Sequence, residues 1–143
     1  MKRFTVKEWM TTEPITITSN KTIPQAYWTM VDKKIRRLLV MDKGNLVGIV
    51  TIDDLRQKIP YTTFAIDAVR ASDTLSKLPV NRVMTKNPIT VPIDTELVDA
   101  AKIMIKNHIS TLPVLEEDYL VGLITEGDIF RAFVELFEIT GSD

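Results

Sequence analysis

The apolar positions change their spacing several times along this chain. Val6 to Met10 holds a short turn of helix at most. Pro14 favours extended chain, and Ile15, Thr16 and Ile17 read as a β segment. Ser19-Asn20-Lys21-Thr22 offers helix-capping residues. After them Ile23, Ala26, Tyr27, Met30 and Val31 recur at helical spacing, which predicts a helix ending near Lys34. Leu38-Leu39-Val40-Met41 is a short apolar strand. Asp42-Lys43-Gly44-Asn45 makes a tight turn into a second strand, Leu46 to Val50, so the two form a hairpin. A second helix starts at Thr51-Ile52-Asp53-Asp54.

The same order then returns. Shifted by 74 positions, residues 6–56 fall on residues 80–130 without a gap, and 16 of the 51 pairs are identical. They include Met10/Met84, Thr11/Thr85, Pro14-Ile15-Thr16 on Pro88-Ile89-Thr90, Leu46-Val47-Gly48 on Leu120-Val121-Gly122, Thr51/Thr125 and Asp54/Asp128. The second copy predicts a strand at Val91, a helix bearing Leu97, Ala100, Ala101, Met104 and Ile105, and a hairpin from Leu112 to Ile124 that turns at Glu116-Glu117-Asp118. Each repeat is β-α-β-β-α, an α+β layer with helices on one face of a small sheet. The expected organisation is residues 1–59 as the first repeat, 60–79 as a linking helix, and 80–143 as the second repeat. The last helix runs from Glu126 to about Ile139. It carries Ile129, Phe130, Phe133, Val134, Leu136 and Phe137, a broad apolar face that fits either the chain's own core or a subunit interface.

Composition narrows the function. A repeat of this length is marginal alone, so two packed together fit a chain of 143 residues. Eighteen Lys and Arg stand against 19 Asp and Glu, a net charge of −1 that argues against nucleic acid or an anionic membrane as partner. There is no cysteine and one histidine, His108, so thiolate and multi-histidine metal sites are excluded. No signal-like apolar segment opens the chain and no apolar run approaches the ~20 residues of a membrane span, so a cytoplasmic location is expected.

Gly48-x-x-Thr51-x-x-Asp54 and Gly122-x-x-Thr125-x-x-Asp128 both sit where a strand gives way to a helix. The free N–H groups of a helix start attract anions. A threonine hydroxyl and an aspartate three residues later suit a phosphate and a ribose diol. The same spacing is also a capping box, in which the threonine caps the helix and the acid returns the bond. Duplication copies either one. Arg36 and Arg37, in the basic run Lys33 to Arg37, fit a phosphate clamp or a solvated helix end. Trp9 and Trp28 fit a core or an interface better than base stacking, and His108 fits a helix end. Asp53 beside Asp54 raises metal-assisted hydrolysis, but Gly127 stands at the matching place in the second repeat. No catalytic or metal residues are assigned.

The ordered set of Val-x-x-Met-Thr-x-x-Pro-Ile-Thr-Val, Ile-Ser-Thr-Leu-Pro-Val at 109–114 and Leu-Val-Gly-Leu-Ile-Thr-x-x-Asp at 120–128 resembles the CBS domain, here as a tandem pair or Bateman module. The short chain is similar to stand-alone CBS-pair proteins, including the acetoin-utilisation type. The resemblance implies two units around a pseudo-two-fold axis, dimerisation into a disc, and clefts for AMP, ADP, ATP, NAD or S-adenosylmethionine. It implies a regulatory role without catalysis or a required cofactor, exerted on a partner it does not identify. It places ribose on Asp54 and Asp128, and ribose or phosphate on Thr51 and Thr125. Thr11, Pro14 and Ile35 frame one cleft, and Thr85, Pro88, Ile109 and Ser110 the other. The chain departs from the family at Leu39, where Pro113 is the usual residue, and at Arg36, where Ser110 is the usual kind. These departures imply unequal clefts, with Arg36 and Arg37 favouring phosphates in the first. The alternative is a ligand-free structural or oligomerisation module.

Overall fold

The structure is a computed structural model and describes residues 4–58 and 75–141. In chain order the elements are α1 (Val6–Trp9), β1 (Thr11–Thr12), β2 (Thr16–Thr18), α2 (Ile23–Lys33), β3 (Arg37–Asp42), β4 (Asn45–Thr51) and α3 (Ile52–Lys58). After the linking segment come β5 (Thr85–Lys86), β6 (Val91–Pro92), α4 (Leu97–Asn107), β7 (Thr111–Glu116), β8 (Tyr119–Thr125) and α5 (Glu126–Gly141). The expected β-α-β-β-α order is present twice. Most of the expected linking helix, at 60–74, lies outside the described residues. Its end, Leu75–Lys77, is a 3-10 turn, and a second such turn covers Val80–Arg82.

Two four-stranded mixed sheets form, ordered β2-β3-β4-β5 and β6-β7-β8-β1. In each, a parallel pair (β2 with β3, β6 with β7) adjoins an antiparallel hairpin. The hairpin loops have two residues, Lys43-Gly44 and Glu117-Asp118, all at positive φ. That is the turn geometry whose twist matches a right-handed hairpin.

The fourth strand of each sheet comes from the other sequence repeat. Thr11 pairs with Leu123 and Thr12 with Gly122, while Thr85 pairs with Ile49 and Lys86 with Gly48. The residues just ahead of these strands follow. Val6 N–H donates to Thr95 O at 2.8 Å and Leu97 N–H to Phe4 O at 2.9 Å. In the matching place Val80 N–H donates to Lys21 O at 2.7 Å and Ile23 N–H to Leu78 O at 3.1 Å. The compact units are therefore residues 1–14 with 89–143, and residues 15–88. They are offset from the sequence repeats by one short segment each.

Glycine makes the exchange possible. A Cβ on Gly122 would lie 2.9 Å from the Thr11 carbonyl oxygen and against the Met10 sulfur. One on Gly48 would lie 2.9 Å from the Thr85 carbonyl oxygen and against the Met84 sulfur. The Met-Thr and Gly identities of the repeats are thus packing partners across the exchange.

Each unit has its own core. Ile17, Ile23, Met30, Leu38, Val40, Val50, Leu55, Val80 and Val83 fill one. Val6, Trp9, Val91, Leu97, Met104, Leu112, Val114, Ile124 and Ala132 fill the other. Burying each large side chain contributes about 1.5–3 kcal/mol. Trp9 lies in the second core, stacked on Phe4, whereas Trp28 is half exposed and meets Tyr27 edge-on. Helix α2 starts in a capping box between Thr22 and Gln25. Helices α2 and α4 end on left-handed residues, Lys34 and His108, after which Ile35 and Ile109 N–H groups donate to Met30 O and Met104 O at 2.9 and 3.0 Å. His108 is a helix terminator, as expected. Among the described residues no helix is long and apolar enough to cross a membrane.

Candidate functional site

The strand-to-helix junctions of β4 with α3 and of β8 with α5 hold the doubled motif. At the first, Thr51 N–H donates to Asp54 Oδ2 at 2.9 Å and Asp54 N–H donates to Thr51 Oγ1 at 2.9 Å. At the second, Thr125 N–H donates to Asp128 Oδ2 at 2.8 Å, Asp128 N–H to Thr125 Oγ1 at 3.3 Å, and the Thr125 hydroxyl to Asp128 Oδ2 at 3.1 Å. Both pairs are reciprocal capping boxes, so the capping reading of the motif is correct. Each box also fixes its carboxylate at a helix start.

The loop after each long helix is tied to the same junction. Ile52 N–H donates to Arg36 O at 3.0 Å, and Glu126 N–H donates to Ser110 O at 2.9 Å. Arg37 is paired with Thr51, and Thr111 with Thr125, in the hairpin registers. Residues 14 to 16 positions apart in sequence are thereby brought to one corner of each unit. Ile35 and Ile109 are half-buried against their cores, with their N–H groups bonded to the preceding helix.

The exchanged strands regroup the other predicted residues. Thr11 and Pro14 belong to the unit that holds Ile109, Ser110, Thr125 and Asp128. Thr85 and Pro88 belong to the unit that holds Ile35, Arg36, Arg37, Thr51 and Asp54. Unit membership thus differs from the cleft grouping implied by the resemblance, which sets Thr11 and Pro14 with Ile35. The reason is that β1 and β5 complete the opposite repeat's sheet. Thr11 and Thr85 are exposed, and Pro14 and Pro88 are half-buried just after a left-handed residue, Glu13 or Asn87.

The two corners differ in charge. Arg36 Nη2 stands 4.0 Å from Asp53 Oδ1, both side chains 68% exposed, a loose ion pair that contributes little. At the second corner Arg131 Nη2 donates to Asp128 Oδ1. Asp128 is 2% exposed, one of two buried polar side chains among the described residues. Arg131 is absent from the sequence-derived set. Its signal was available: it lies three residues after Asp128, on the same helix face, and aligns with Gln57, which is neutral. A groove of about 530 Å³ in this unit runs past Ser110 and Glu126, lined also by Ile105, His108, Ile109 and Phe130. Another, of about 890 Å³ along β2 and α2 beside Trp28, contains none of the predicted residues.

Comparison with known proteins agrees with this arrangement. A CBS-domain protein of Dictyostelium discoideum is 33% identical over 138 residues, covering 93% of both chains. A relative in Methanocaldococcus jannaschii is 33% identical over 141 residues, of whose length this chain spans only 33%. The structure of a protein assigned to acetoin utilization (AcuB) in Vibrio cholerae superposes with TM-score 0.76 at 27% identity, covering 99% of this chain and 98% of that one. CBSX2, solved in complex with AMP, gives TM-score 0.75 at 29% identity over 92% of this chain and 97% of that one. The CBS domain pair of MJ0100, solved with 5′-methylthioadenosine and S-adenosyl-L-methionine, gives 0.71 at 32% identity over 92% and 96%. The CBS-domain family model matches residues 6–61 and again 80–135. With two family matches, two equivalent sheets and two Thr/Asp junctions, the chain belongs to the CBS-domain family as a tandem pair.

Proposed function

We propose that this CBS pair is a regulatory module that binds an adenosyl compound: AMP, ADP, ATP, NAD or S-adenosylmethionine. The observation that carries the reading is the likeness, over 92% of this chain, to two CBS pairs whose own ligands are AMP in one and 5′-methylthioadenosine with S-adenosyl-L-methionine in the other. Shared chemistry supports it. Each unit sets a threonine hydroxyl and a fixed aspartate at a helix start, suited to a ribose. Arg36 and Arg37 add cationic charge to one corner, suited to phosphates.

In this reading the ligand leaves unchanged and the chain does no chemistry of its own. Binding favours one of two states of the pair, and a regulated partner responds to that shift. Self-association belongs to the same proposal. The broad apolar face of α5, with Phe130, Phe133, Val134, Leu136 and Phe137 all exposed, supports a second copy of this chain as its occupant. A cytoplasmic location fits a module that reads nucleotide levels.

Isothermal titration calorimetry with AMP, ATP, NAD and S-adenosylmethionine tests the ligand. At least one is expected to bind, and an Asp54→Ala/Asp128→Ala double variant is expected to lose it. Failure of all four, or undiminished binding by the double variant, overturns the proposal. The capping boxes give one specific argument for a ligand-free structural module. In that case nucleotide leaves the thermal midpoint where it was, whereas a ligand at 100 times its Kd adds about 2.7 kcal/mol.

A further inference from the structure

The two repeated carboxylates, Asp54 and Asp128, are not in the same state. Asp128 is buried, and both its oxygens are engaged. Oδ2 accepts from Thr125 N–H at 2.8 Å and from the Thr125 hydroxyl at 3.1 Å, while Oδ1 accepts from the Arg131 guanidinium. Asp54 is less buried. Its Oδ2 accepts from Thr51 N–H at 2.9 Å, and no described residue donates to its Oδ1. Residues 53 and 127 differ in the same sense. A Cβ at Gly127 would stand 3.6 Å from Thr125 Oγ1 and 3.9 Å from Arg131 Nη1, both ordinary contact distances, so the guanidinium passes within van der Waals reach of this position. The first repeat has Asp53 at that place, and its carboxylate faces Arg36 instead. Gly127 and Arg131 in one repeat, against Asp53 and Gln57 in the other, form a paired difference.

Holding a ribose diol takes two acceptor positions on one carboxylate, and a carboxylate offers about four lone-pair sites in all. At Asp54, Oδ1 accepts no hydrogen bond from any described residue. At Asp128 the same oxygen is held by Arg131, whose side chain is 64% exposed and reaches the buried carboxylate from solvent. We propose that Arg131 is a latch on Asp128: it closes the second repeat's ribose-binding carboxylate, so that the Asp54 site fills first and the Asp128 site fills only when the guanidinium is displaced. The inference rests on the adenosyl-binding reading above. Breaking a hydrogen bond between charged groups sets the size of the effect, a weakening of roughly ten- to a hundredfold relative to an unlatched site. Arg131 acts here through Asp128, as a positioning residue.

The test is calorimetric titration of the full chain with AMP and, separately, with S-adenosylmethionine. It compares the wild type with Arg131→Gln, which installs the first repeat's residue, and with Asp54→Ala. The wild type is expected to show one site at least tenfold tighter than the other. Arg131→Gln is expected to bring the weaker site to within about threefold of the tighter one. In Asp54→Ala the tight site disappears and the weak one remains. A gain of affinity in Arg131→Gln is not an outcome that misfolding produces. Two equal sites in the wild type, or a weak site unmoved by Arg131→Gln, overturns the latch and leaves the adenosyl reading intact. No binding of either compound to any of the three proteins overturns both.

Discussion

The hydroxyl of Thr125 both accepts from the Asp128 N–H and donates to its carboxylate, whereas that of Thr51 accepts from Asp54 N–H at a less buried corner. Removal of a capping hydroxyl costs about 0.5–2 kcal/mol. Thr125→Ala is therefore expected to cost about 2 kcal/mol and Thr51→Ala about 1 kcal/mol, read as shifts in urea midpoint at unchanged slope. Thr125→Ser keeps the bonds and is expected to stay within about 0.5 kcal/mol of the wild type. Equal losses for the two alanine variants would show that burial does not distinguish the corners. At this scale the sequence was informative and ambiguous at once. Thr-x-x-Asp is the spacing of a cap and of a ribose site because both need a hydroxyl and a carboxylate at a helix start. Arg131 escaped the reading because on the helix pattern it is an ordinary polar-face residue, and its partner became clear only when Asp128 proved to be buried.

Among the elements, the hairpins and long helices were legible because their signals are local. Ile23 to Val31 and Leu97 to Ile105 carry a helical period, and both hairpins carry a two-residue turn between apolar runs. The short strands β1 and β5 were not legible. Two residues give no period, and Met-Thr is the same dipeptide in both repeats, so it suits the edge of either sheet. Their placement depends on Gly48 and Gly122, over which a strand crosses. Gly122→Ala is expected to destabilise the protein by about 1–3 kcal/mol through overpacking. Met10→Ala is expected to restore only part of that loss, since the added Cβ also meets the Thr11 carbonyl oxygen at 2.9 Å. Thermal unfolding of the single and double variants checks both statements. Full rescue would place the whole conflict on the flexible methionine side chain.

For the molecule as a whole, the exposed face of α5 concerns assembly. Phe133 and Phe137 pack with ring centroids 4.5 Å apart and planes tilted by 37°, and both are more than half exposed. Beside them runs a groove of about 560 Å³ lined by Phe4, Leu97, Val98, Ala101 and Ala132. Exposed apolar patches on soluble proteins are commonly interaction sites, which supports the proposed second copy as occupant. Light scattering is expected to give a dimer for the wild type and a monomer for Phe133→Glu/Phe137→Glu, with the circular dichroism of the fold retained. A wild type that stays monomeric at tens of micromolar would exclude a second copy as the occupant.

By itself, the sequence determined the β-α-β-β-α unit, its duplication, both hairpins and the positions of the Thr/Asp junctions. Each follows from residues adjacent in the chain, where periodicity and turn chemistry act over a few positions. Only the tertiary structure decided which repeat completes which sheet, and that Asp128 is buried and bound by Arg131, whereas no described residue donates to Asp54 Oδ1. Those facts depend on groups brought together by packing. A repeated segment presents the same local pattern to either partner, so nothing short of the folded core distinguishes them.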